Sequence, residues 1–218
     1  MMTKNQRRAL FLLAAGLLFG GSAMAESTEE PSYTVVTEHP DWELRRYQPS
    51  LEARVVVSGD FRTAVSSGFR RLADYIFGAN LAPSGGPEKI AMTAPVSAQA
   101  KPGSERRWTV TFTMPAQFTR ATLPVPSDRG ISIIQNGGGL VAATRFRGRI
   151  AAEDDYDGHA DRLLAALQAD GLVASEPSLT AQYNGPWVPG PLRRNEVLVP
   201  VRCLSAADPR CARGAPAP

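Results

Sequence analysis

Two histidines, two cysteines and five methionines are all the soft-ligand chemistry this chain carries. His39 falls in Glu38-His39-Pro40-Asp41, a turn between the first two expected strands, and His159 in the first turn of an expected second helix. Imidazole suits iron ligation or proton transfer near neutral pH. Neither histidine lies in a Gly-x-Ser-x-Gly or His-Glu-x-x-His setting, so an exposed structural role is the simpler reading and no catalytic constellation emerges. Cys203 and Cys211 follow the last apolar strand without a Cys-x-x-Cys-His pattern. In an oxidising compartment they are expected to form a disulfide closing a nine-residue loop, worth about 2–3 kcal/mol.

Other patterns are weaker than they look. Glu153, Asp155, Asp157 and Gly158 occupy positions 1, 3, 5 and 6 of a calcium loop, but position 12 is Leu164, so the bidentate carboxylate is missing. These acids, with Asp154, read more simply as a helix start that favours negative charge. No Gly-Lys-Ser/Thr follows Asn136-Gly137-Gly138-Gly139, which reads as a turn between antiparallel strands. The arginine pairs 45–46, 70–71, 106–107 and 193–194 have a more specific chemistry. Guanidinium groups grip carboxylates bidentately, as lysine does not; a solvated face is the alternative reading.

The elements that must position these residues show an internal repeat. At an offset of 89, Leu44 falls on Ile133, Leu51 on Leu140, Ala53 on Ala142, Val57 on Phe146 and Gly59 on Gly148. Both copies run strand, turn (Tyr47-Gln48-Pro49-Ser50 in the first), strand, glycine, helix. The first helix is expected from Phe61 to Phe77, capped by Asp60, with Val65, Phe69, Leu72 and Ile76 on its apolar stripe. The second is expected from Gly158 to Ala169, burying Ala160, Leu163, Leu164 and Leu167 and ending at Gly171; Leu72-Ala73 then falls on Leu164-Ala165. Two further strands complete each half: Lys89–Val96 and Trp108–Met114, then Leu179–Tyr183 and Glu196–Val201. Strict alternation of Trp108, Val110, Phe112 and Met114 with threonines marks a strand with one face buried. The expected fold is α+β, a doubled ββαββ unit forming a distorted, barrel-like antiparallel sheet of eight strands with two main helices.

The first twenty-five residues read as an export signal: Lys4, Arg7 and Arg8, an apolar run from Ala9 to Phe19, and Ala23-Met24-Ala25 as the cleavage site. Arg7-Arg8 leaves the general and twin-arginine routes both open. The mature chain is then expected in the periplasm or secreted, with no membrane anchor. Three of the 24 Lys+Arg and none of the 21 Asp+Glu lie in that segment, so the mature charge is balanced at 21 against 21. Balance argues against a nucleic-acid partner, which calls for clustered surplus basic residues. The domain is expected over 26–203, with halves at about 33–115 and 131–201 and a tail over 204–218.

Lys89-Ile90-Ala91-Met92-Thr93-Ala94-Pro95-Val96 resembles the signature of the SOUL family of heme-binding proteins. Trp42-Glu43-Leu44-Arg45-Arg46-Tyr47, Val57-Ser58-Gly59-Asp60, Phe112-Thr113-Met114-Pro115 and Arg193–Val201 resemble its other landmarks, in the family's order. The resemblance implies a barrel-like α+β fold and binding of heme or a related tetrapyrrole without catalysis. A histidine proposed as iron ligand in some animal members would fall at Arg46 here, so no metal ligand is assigned. The ring-contact surface is expected from Phe69, Leu72 and Ile76 on the first helix with Ile90, Met92 and Met114, and Arg70 and Arg71 are expected to hold the propionates. The alternative is a module for another amphipathic small molecule, resembling bacterial effector-binding domains.

Overall fold

The computed structural model describes residues 28–103, 106–150, 152–205 and 207–211. The expected export signal and most of the tail lie outside the described residues. The first half runs β1 (Tyr33–Glu38), β2 (Glu43–Tyr47), β3 (Ser50–Ser58), α1 (Phe61–Ile76), β4 (Asn80–Leu81), β5 (Val96–Ala100) and β6 (Arg107–Thr113). After β7 (Val125–Pro126), the second runs β8 (Ile131–Asn136), β9 (Gly139–Arg147), α2 (Asp154–Ala169), β10 (Leu172–Ala174), β11 (Leu179–Gln182) and β12 (Arg194–Cys203).

The repeat is borne out in the strand order β1-β2-β9-β12-β11-β5-β6-β3-β8, antiparallel throughout. Exchanging β2 with β8, β3 with β9, β5 with β11 and β6 with β12 maps the inner eight strands onto themselves. The offset holds at residue level, because β3 shifted by 89 is β9, and Gly59 and Gly148 share positive φ values of 132° and 129°. Beyond the eight, β1 extends one edge, β10 adds to β12, and β4 and β7 form a small separate ladder.

Four expectations need correction. The two turns do not make hairpins, because β2 pairs with β9 while β3 pairs with β8. The linkers instead cross each other: a Cβ at Gly138 would sit 2.4 Å from the carbonyl oxygen of Tyr47, so the glycines serve close backbone approach. The strand expected at Lys89–Val96 begins only at Val96. Upstream, Ile90 donates its N–H to the Ile76 carbonyl, Ala94 to that of Glu29, and Thr93 Oγ1 to that of Thr113, so these groups are satisfied outside a ladder. Helix α2 starts four residues earlier than expected, adding buried Tyr156 and leaving Leu164 exposed. His159 is therefore in its second turn, and Leu164 is no buried counterpart of Leu72.

The fourth correction concerns the phase of α1. Asp60 caps it through Thr63 N–H (2.9 Å) as expected. The buried stripe, however, is Phe61, Ala64, Gly68, Leu72, Tyr75 and Ile76, with Val65 only partly covered and Phe69 38% exposed. Gly68 is the cause: a Cβ there would meet Val110 Cγ2 at 2.5 Å, so the missing side chain lets α1 settle onto β6. Gly68→Val is expected to lower unfolding free energy by about 1–3 kcal/mol through overpacking, measurable by urea denaturation.

Candidate functional site

The eight side chains expected at the ring-contact surface part into two groups. Leu72, Ile76, Ile90 and Met114 are all buried in the core that α1 shares with the sheet. They support a surface from beneath and cannot form it. Phe69 and Arg70 are exposed, and Arg71 and Met92 are half-buried. The Phe69 ring meets Phe112 edge-on, with centroids 5.5 Å apart. With the stripe rotated by Gly68, a second row stands at the margin: Val65, Phe69, Ala73 and Phe77, each one turn from the next, with Phe77 63% exposed. Sequence reasoning put Val65 and Phe69 on one stripe with Leu72 and Ile76 and left Ala73 and Phe77 out of it. The lone glycine on the helix was the signal that could have separated the two rows.

The two arginines also part company. Arg71 grips Asp128 bidentately, Nε to Oδ2 at 2.7 Å and Nη2 to Oδ1 at 2.9 Å, and Asp128 accepts the Gly130 N–H as well. Hydrogen bonding to Arg71 holds the Asp128 carboxyl below the usual range, so this pair is already satisfied. Arg70 is exposed beside the apolar row, and its Nε donates to the Ser66 carbonyl.

Both histidines lie away from the α1 row and line one groove of about 700 Å³ between α2 and strands β2 and β9. His39 stacks on Trp42 at 3.9 Å between centroids, and its buried Nε2 has no hydrogen-bond partner among the described residues. His159 stacks on Phe146 at 4.2 Å; burial and the neighbouring Arg162 depress its pKa. Among the described residues no group of three histidine, cysteine or acidic side chains is placed to hold a metal ion. The calcium-loop pattern is helix from Asp154 onward, with Asp154, Asp155 and Asp157 in its first turn. Cys203 and Cys211 are disulfide-bonded.

Sequence reasoning missed a buried ionic cluster at Glu196, which is fully buried. Arg45 donates to it at 2.6 and 3.3 Å, Tyr183 Oη at 2.8 Å, Arg194 at 3.1 and 3.2 Å, and Arg145 at 3.3 Å. Burial pushes the Glu196 carboxyl upward, yet Arg45, Tyr183 and Arg194 outweigh it and hold the pKa below the usual range. Burial, and then the Glu196 charge, push the Tyr183 phenol up. The signal was Arg194 and Glu196, two residues apart and so on one face, leading directly into the apolar run Val197–Val201.

On the face of the sheet turned from the helices, strands from both halves line one cavity of about 500 Å³. The molecule is thus a curled antiparallel sheet with helices on one face, an open cavity on the other and an apolar row along α1. A family model described as SOUL heme-binding protein matches residues 28–200. Heme-binding protein 1 of Xenopus laevis is 32% identical over 161 residues, spanning 72% of this chain and 81% of that protein. Heme-binding protein 2 of Homo sapiens is 30% identical over 174 residues, spanning 75% and 82%. The chain belongs to the SOUL heme-binding protein family. Among solved structures, the EcmrR C-terminal domain superposes with a TM-score of 0.58 at 9% identity, over 79% of this chain and 99% of that one. A hydrolase from Listeria innocua gives 0.52 at 12%, over 77% and 94%. At such identities the likeness is one of fold.

Proposed function

We propose that this protein binds heme or a closely related tetrapyrrole in the cell envelope, without catalysis, as a buffer or carrier. Family membership supports the ligand class. The observation that carries the site is the row Val65, Phe69, Ala73 and Phe77, about 18 Å long at 1.5 Å per residue. An apolar row of that length, with exposed phenyl rings and a guanidinium alongside, suits a flat macrocycle bearing carboxylates. Phe69 and Phe77 would contact the ring, Met92 would border it, and Arg70 would pair with a propionate; Arg71 would serve by holding the Asp128 loop. Heme would supply the iron, and the chain supplies contact and charge. Titration with hemin and with metal-free protoporphyrin tests this reading. Comparable affinities are expected, and binding of hemin alone would overturn it.

The envelope location rests on the amino-terminal pattern of the sequence. Fractionation of the native cell followed by intact-mass measurement is expected to find a chain beginning at Glu26 outside the cytoplasm. A cytoplasmic chain retaining residues 1–25 would refute export.

A further inference from the structure

We infer that the inner cavity of the curled sheet is a second ligand site, separate from α1, for an uncharged amphipathic molecule with an apolar body and one hydrogen-bonding edge. Register places Arg54, Thr111 and Ser97 in one half where Ala143, Leu198 and Leu179 stand in the other. Equivalent positions therefore face the same cavity with opposite chemistry. One wall is a grid of hydroxyls, Thr109, Thr111, Thr113 and Ser97, while the other is apolar, Val141, Leu179, Leu198 and Pro200.

Charge settles the ligand class. The polar wall's ionic groups are Glu52 and Arg54, and they neutralise each other: Arg54 Nε and Nη2 lie 2.7 and 2.6 Å from Glu52 Oε2, while Asn136 Nδ2 donates to Oε1 at 2.6 Å. With both carboxylate oxygens engaged by Arg54 and Asn136, that wall offers no unpaired charge to neutralise an ion; Glu176 is exposed. Among the described residues nothing bonds to the hydroxyls of Thr109 and Thr111. They are half-buried, placed to donate to or accept from a ligand carbonyl or hydroxyl.

The symmetry also explains why the cavity is open on one side. Across β2, β9 and β12 the outer row is filled by Arg45, Arg145 and Glu196. Their counterparts across β8, β3 and β6 are Ile134, Val56 and Thr109, and Val56 and Ile134 are each 37% exposed. The ion cluster plugs one end and its apolar counterpart leaves the other accessible. A volume of about 500 Å³ lies in the ordinary range for small-molecule sites.

The neutral phenoxazone dye Nile red, whose carbonyl edge and apolar rings match the two walls, tests this by equilibrium dialysis against the mature protein. Saturable one-to-one binding is expected, at least tenfold tighter than for the cation tetraphenylphosphonium or the anion anilinonaphthalene sulfonate. Saturating hemin should leave it unchanged, as should Phe69→Asp. Thr111→Trp should fill the cavity and weaken it more than tenfold. The isosteric Thr109→Val/Thr111→Val pair, which keeps the cavity's shape, should weaken it three- to tenfold. Binding that survives Thr111→Trp in a folded protein, competes one-to-one with hemin, or favours either ion would overturn the inference, and so would no saturable binding. Failure of hemin to bind would count against the α1 reading and leave this one standing.

Discussion

Phe69→Asp is expected to reduce hemin affinity more than a hundredfold, while His39→Ala combined with His159→Ala costs less than tenfold. Phe69 is one of the two rings in the row on α1, resting on Phe112 but 38% open to solvent. An aspartate there removes the flat contact and sets a negative charge against a ligand whose own carboxylates Arg70 must satisfy. Micromolar binding takes about 8 kcal/mol. About 300 Å² of apolar contact supplies that at roughly 25 cal/mol per Å², before ordering costs that arginine pairing partly offsets. Neither histidine can contribute at that place, because both line the separate groove beside α2. Soret titration reads both variants, and circular dichroism checks that the exposed substitution leaves the fold intact. Loss of the Soret shift in the histidine pair with retention in Phe69→Asp would move the site to the α2 groove.

The repeat was legible because its evidence is local: Leu51, Ala53 and Val57 in β3 fall on Leu140, Ala142 and Phe146 in β9 at one offset, with Gly59 and Gly148 just past the two strands. What local pattern could not give was the partner of each strand. Tyr47-Gln48-Pro49-Ser50 has the composition of a hairpin turn, yet its flanking strands go to opposite ends of the sheet path. Exchange between halves is a long-range choice, visible only where Gly138 meets the Tyr47 backbone. The site suffered from a similar blindness. Counting apolar residues at helical spacing put Val65 and Phe69 on one stripe with the buried Leu72 and Ile76, because a glycine carries no hydrophobic signal although Gly68 fixes which side of α1 goes inward. Arg70 and Arg71 look alike in sequence, and Asp128, 57 residues away, separates their roles.

The two halves use their inner faces differently, and that difference has an energetic consequence at Glu196. Glu196→Ala is expected to destabilise the fold by about 3–5 kcal/mol, because it leaves Arg45, 1% exposed, without its buried counter-charge. Tyr183 would lose its acceptor as well. Thr109, the counterpart of Glu196 in the first half, faces open cavity, and Thr109→Val should change stability by less than about 1 kcal/mol. The acid dependence follows from the direction of the Glu196 shift. Its folded-state pKa is depressed, so the carboxylate contributes stability that is fully present above the ordinary glutamate range and is lost as pH falls through the depressed value. Glu196→Gln, which nearly keeps the shape, should therefore be much less stable than the parent at neutral pH and approach it in strong acid. Urea denaturation of both proteins from pH 7 downward measures this. Curves that stay parallel throughout would mean that the arginines around Glu196 contribute packing and not charge.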